Sequence, residues 1–211
     1  MEKLVHILAG AVSMEGMLSI PEKSKGVVLF AHGSGSSRLS PRNVYVAKNL
    51  QEAGLSTLLI DLLSKEEDEI YENRFNIPLL TERLIQIVHW LQEEPETKDL
   101  LIGLFGASTG AASALEVAAA LGARIKAVVS RGGRPDLAIT ALPSVVSPTL
   151  FIVGELDFQV IELNEKAFAE LRCPRRCEIV PHATHLFEEP GCLDEVSRLA
   201  KAWFLKYLTV T

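Results

Sequence analysis

The chain has 211 residues, 48% of them hydrophobic, and a formal net charge of −6. That length suits one domain with a sizeable core, and the acidic balance argues against a general affinity for nucleic acid or anionic membranes. No run approaches the roughly 20 apolar residues of a membrane span, the start Met1-Glu2-Lys3-Leu4-Val5 lacks a secretory signal pattern, and the cysteines Cys173, Cys177 and Cys192 make no tidy disulfide set, so a reduced, cytoplasmic chain is expected.

Two short strand-like runs open the chain, Val5 to Ala9 and Gly16 to Ile20, and read as an antiparallel pair at a sheet edge. Gly26 to Ala31 is a continuous apolar run, the first deeply buried strand. The loop His32-Gly33-Ser34-Gly35-Ser36 follows. It lacks the third glycine of a dinucleotide fingerprint, because Arg38 stands there. Pro41 to Ala53 reads as a helix with Ser40 as N-cap, proline at its first position and Gly54 after its end. Leu55 to Asp61 is a strand. Ser64 to Asn76, with Glu66-Glu67-Asp68-Glu69, reads as a solvated loop and a candidate flap. Leu79 to Leu91 is an amphipathic helix.

Leu100 to Phe105 is the next buried strand, and Ala111 to Ala120 is a helix rich in the best helix former. Arg124 to Ser130 is a strand, Pro135 to Leu142 a short helix, Thr149 to Gly154 a strand and Asn164 to Arg172 a helix. Cys177 to Val180 is a last short strand, and Glu189 to Tyr207 closes the chain as an amphipathic helix. Alternating strands and helices predict one α/β domain over residues 1–211, with a mainly parallel sheet, helices on both faces and no separate lid.

Between the strand at Leu100 and the alanine-rich helix stands Gly106-Ala107-Ser108-Thr109-Gly110. A serine between two glycines at a strand-to-helix turn has the form of a nucleophile elbow. The turn lifts the Ser108 hydroxyl above the sheet, and the Thr109 amide, at a helix N-terminus, can stabilise an oxyanion there. An acid and a histidine follow in the order Ser, Asp, His. Gly154-Glu155-Leu156-Asp157 ends one strand, and Pro181-His182-Ala183-Thr184-His185 ends another. Each group lies just past the C-terminal end of a strand, at the rim where parallel sheets gather their functional side chains. Cys173, Cys177, His182 and His185 do not have zinc-ligand spacing.

These motifs resemble the α/β-hydrolases, and more narrowly the dienelactone hydrolase-related group, from Val27 to the C-terminal helix. The resemblance implies an α/β-hydrolase fold with Ser108 as nucleophile and no cofactor or metal. It favours His185 over His182 as base, and Asp157 over Glu155 or Asp136 as the supporting acid. It also implies that the Ser34 amide, after His-Gly, joins the Thr109 amide in an oxyanion hole. The namesake of the group is usually described with a cysteine where Ser108 stands, so dienelactone itself is not carried over as substrate.

Four arginines, Arg38, Arg42, Arg131 and Arg134, fall in loops at the same rim and are candidate anion-binding residues. The expected activity is cleavage of an ester, lactone or thioester of a small, in one version anionic, substrate through an acyl-serine. A histidine base predicts that activity falls on the acid side of neutrality. The alternatives are an acyltransferase or peptidase on the same scaffold, or a binding protein that keeps the fold without catalysis.

Overall fold

The computed structural model describes residues 1–209. Eight strands form one sheet in the order β1-β2-β4-β3-β5-β6-β7-β8, with β1 Glu2–Ala9, β2 Val12–Ser19, β3 Gly26–Ala31, β4 Ser56–Ile60, β5 Leu101–Ala107, β6 Ile125–Arg131, β7 Thr149–Gly154 and β8 Arg175–Val180. The first two pair antiparallel at the edge, and β2 runs antiparallel to β4; from β4 to β8 every pairing is parallel.

Side chains alternate across the sheet with period two. Val27, Leu29 and Ala31 of β3 enter one core with α3 (Ile77–Glu93), α4 (Thr109–Leu121) and α5 (Phe158–Glu170). Val28 and Phe30 enter the other, with α1 (Pro41–Glu52) and α6 (Cys192–Leu208). Both faces of the sheet are therefore covered, which is why the central strands read as unbroken apolar runs. Each fully buried leucine or phenylalanine contributes roughly 1.5–3 kcal/mol.

Several elements depart from the sequence reading. The edge hairpin is longer than its apolar runs. Where a short helix is expected over 135–142, the chain makes two 3-10 turns, Pro135–Ala138 and Leu142–Ser144. The acidic segment expected as a solvated loop is folded. Ser64 and Glu67 form a reciprocal capping box that starts α2 (Lys65–Asp68), and a 3-10 turn covers Tyr71–Phe75. Arg83, itself buried, holds Glu67 at 2.7 Å, and Arg74 holds Asp68 at 2.8 Å. Glu67 and Asp68 are tied to these arginines, while Glu66 and Glu69 stay exposed as the sequence suggests.

The parallel strands end on one rim, and the elbow sits at its centre. Close approach makes its glycines obligatory: a Cβ on Gly106 would lie 2.4 Å from Ala111 Cα, and one on Gly110 would lie 2.3 Å from the Ala31 carbonyl oxygen. Both obstacles are backbone and cannot step aside. Gly110→Ala is expected to cost about 3 kcal/mol of stability, read as a shift in urea midpoint. A midpoint unchanged from the parent would mean that α4 can retreat from β3.

Candidate active site

Ser108 occupies the junction of β5 and α4 with φ 51° and ψ −121°. A left-handed backbone at a residue with a Cβ costs of order 1–3 kcal/mol and persists only when its surroundings hold it. Here the Ser108 amide donates to Arg131 O at 3.2 Å, and the Ser108 carbonyl accepts from the amides of Arg134 (3.0 Å) and Ala111 (3.1 Å). The β3–α1 loop passes directly over the serine. A Cβ on Gly33 would lie 3.1 Å from Ser108 Cβ, so the loop is tightly spaced where it crosses.

Asp157 follows β7 as the N-cap residue of α5, which starts at Phe158, six residues before the helix start expected from sequence. Its side chain makes no capping bond to the helix; it accepts from His185 Nδ1 at 2.6 Å instead. That contact fixes the tautomer and leaves the neutral ring's Nε2 as the acceptor nitrogen. The loop carrying His185 is locked from three sides. Gly154 lets it lie across the end of β7, because a Cβ there would meet Ala183 O at 2.4 Å. The Leu156 amide donates to the same carbonyl at 2.9 Å. Two residues past the histidine, Phe187 is wholly buried in the core.

The rival groups point elsewhere. The His182 side chain is exposed, with Nδ1 3.7 Å from Glu155 Oε2, and the same carboxylate oxygen accepts the His182 amide at 2.7 Å. Asp136 takes Arg134 in a bidentate pair at 2.9 and 2.8 Å. His32 is a structural group: it is buried, Nδ1 donates to Gly33 O at 2.9 Å, Nε2 accepts the Leu62 amide at 3.1 Å, and burial pushes its pKa down. The Ser34 amide donates to Thr109 Oγ1 at 2.9 Å, so the two elements expected to frame an oxyanion are joined to each other.

A cleft of about 260 Å³ brings together Ser34, Ser108 and His185 with Arg42 and Arg131. The other two candidate arginines are not part of it. Arg38 is held by Asp61 and, at 2.7 Å, by Glu15, and Arg134 is held by Asp136. Sequence reasoning also passed over Asn43, a buried residue in the first turn of α1 that accepts from Arg131 at 3.2 Å. The one sequence cue near it, a serine N-cap before proline, was fully explained by the helix start.

Among the described residues no helix is long and apolar enough to cross a membrane. The description "Dienelactone hydrolase family" matches residues 14–206. Two curated proteins of Mycobacterium tuberculosis, from strains CDC 1551 / Oshkosh and ATCC 25618 / H37Rv, are 54% identical over 206 residues, which is 97% of this chain and 46% of theirs. Both carry the name "Putative phosphoribosyl transferase", and the chain spans about half the length of these relatives. Among solved structures, a dienelactone hydrolase from Anabaena variabilis ATCC 29413 is 54% identical, superposes with a TM-score of 0.96 and covers 99% of each chain. The esterase domain of a Rhodothermus marinus protein, 18% identical with a TM-score of 0.80, covers 99% of this chain and 100% of its own and shares the fold. The α/β-hydrolase fold, the match over residues 14–206 and the near-complete overlap with a 54% identical dienelactone hydrolase place the chain in the dienelactone hydrolase family, among hydrolases.

Proposed function

We propose that the protein is a serine hydrolase that opens an ester, lactone or thioester through an acyl-enzyme on Ser108, with His185 as base and Asp157 as its support. The observation that carries this reading is the 2.6 Å contact between Asp157 and His185 Nδ1 beside a cleft shared with an elbow serine. A serine hydroxyl is a weak nucleophile until a base removes its proton. In the proposed reaction Ser108 Oγ attacks the substrate carbonyl, and its proton passes to His185 Nε2. Asp157 stabilises the imidazolium. The proton then leaves with the alcohol or thiol as the acyl–oxygen or acyl–sulfur bond breaks. Water, deprotonated by the same imidazole, releases the acid and restores the serine.

The tetrahedral oxyanion needs backbone donors beside the elbow serine. Thr109 holds the first position of α4, where an amide has no acceptor within its own helix. It supplies one donor. The Ser34 amide supplies the second as it turns from Thr109 Oγ1 to the substrate oxygen. An elbow serine beside a carboxylate-supported imidazole is acyl-transfer chemistry; the transferase name describes chains of about twice this length. A fluorophosphonate probe is expected to add once per chain, at the peptide containing Ser108, with no labelling of Ser108→Ala. Labelling of another serine, or none in the parent chain, overturns the reading.

A further inference from the structure

Arg131 ends β6, the strand beside the elbow, and is only 5% exposed. Removing a guanidinium from water costs several kcal/mol unless it is paired and fully hydrogen-bonded. Arg131 is neither. One terminal nitrogen donates to Asn43 Oδ1 at 3.2 Å, the group lies 5.8 Å from the centre of the Phe187 ring, and Nε has no protein acceptor. Among the described residues no carboxylate pairs with it. Burial, helped by the charge of Arg42, pushes its pKa down to about 10, which leaves it cationic at neutral pH.

Arg42 lines the same cleft from the first turn of α1. Its partner is Glu188, a rim carboxylate at 2.6 Å whose side chain is 61% exposed. Ion pairs of that kind contribute about 0–1 kcal/mol and are readily exchanged. Ser36 and Ser40 complete this wall. The Ser40 oxygen takes the Asn43 amide at 3.4 Å, so its hydroxyl proton is available to a ligand. The wall also contains the start of a 12-residue helix, a favourable place for negative charge.

We propose that the α1 side of the cleft is a phosphate subsite, and that the ester opened at Ser108 belongs to a small molecule carrying a phosphate monoester group. This names the substrate class of the serine-hydrolase reading above and rests on it. A carboxylate offers two coplanar oxygens and one charge. The donors here arrive from a strand end, a helix start and a loop, and of their two guanidiniums only that of Arg42 has a carboxylate partner, an exposed one. A tetrahedral dianion matches that set in both shape and charge.

Two measurements on the full chain test the subsite. Calorimetric titration with inorganic phosphate is expected to show one site, weakened about 10- to 100-fold by Arg131→Met and by Arg42→Gln, the loss expected for one charge-assisted contact. No binding, or binding unchanged in both variants, overturns the proposal. Arg42→Gln keeps the test decisive if Arg131→Met does not fold.

The second measurement compares kcat/KM for 4-nitrophenyl esters of butanoate, succinate and 3-phosphooxypropanoate. Phosphate should be preferred to carboxylate, and carboxylate to the neutral ester. Arg131→Met should lower the phosphate-to-neutral ratio by about 10- to 100-fold. An equal loss on all three esters would place Arg131 on the reaction's own developing charge, and a preference for succinate would make the subsite a carboxylate site; either overturns the proposal. If the parent chain hydrolyses none of the esters, the hydrolase reading fails, while the phosphate titration still decides the subsite.

Discussion

Replacing Ser108 with alanine is expected to lower kcat on an activated ester by about four to six orders of magnitude. The hydroxyl at the elbow is the proposed nucleophile, and no neighbouring group in the cleft can take its place in the same geometry. What survives would come from binding and from the donors around the oxyanion, which do not depend on the hydroxyl. The fold should be untouched. Alanine keeps a Cβ at the same left-handed backbone position, and the bonds that hold the turn run through the amide and carbonyl of residue 108. Initial rates, with a melting curve as control, check both halves of this statement. Activity within tenfold of the parent would mean that another nucleophile does the work.

Asp157→Asn is expected to cost about four orders of magnitude in kcat, nearly as much as losing the serine. The carboxylate accepts from His185 Nδ1 at 2.6 Å. An asparagine amide turned to donate at that point favours the tautomer with its proton on Nε2, which then cannot accept the serine proton. The loss is chemical rather than structural, because the Asp157 side chain makes no capping bond to α5. Glu155→Gln is the matched control. Its carboxylate meets the His182 amide on the outside of the loop, and its loss should leave kcat within about threefold, as for a surface substitution away from the site. If the two variants behave alike, the His185 contact does not set the tautomer.

The parallel strands and the elbow could be read from sequence because both are local signals. Continuous apolar runs mark strands buried on two faces, and the elbow shows as glycines at 106 and 110 around a serine, although the backbone that Gly110 clears belongs to β3. The start of α5 was hidden by the chemistry at its first residue. Asp157 stands at the N-cap position but turns its carboxylate to an imidazole 28 residues away, so the usual capping signature is absent. The acidic segment failed differently. Ser64 and Glu67 carried a legible capping box, yet the neighbouring acidic side chains suggested solvent, and the deciding partner, Arg83, lies on another helix. The arginines show the same limit most clearly. Four were candidates by loop position, but pairing sorts them: Asp61 and Glu15, both distant in sequence, occupy Arg38, Asp136, two residues on, occupies Arg134, and of the four only Arg42 and Arg131 face the cleft. Asn43, which meets one of them, gave no signal beyond its place in a helix start.

The left-handed turn at residue 108 sets stability and activity against each other. Glycine is the residue best suited to that backbone, and it has no hydroxyl. A laboratory selection that rewards only heat resistance would therefore drift toward a more durable and inert chain. Engineering for robustness in this scaffold has to exempt one position and look for its gains elsewhere, such as the edge hairpin or the solvent-facing sides of α3 and α6.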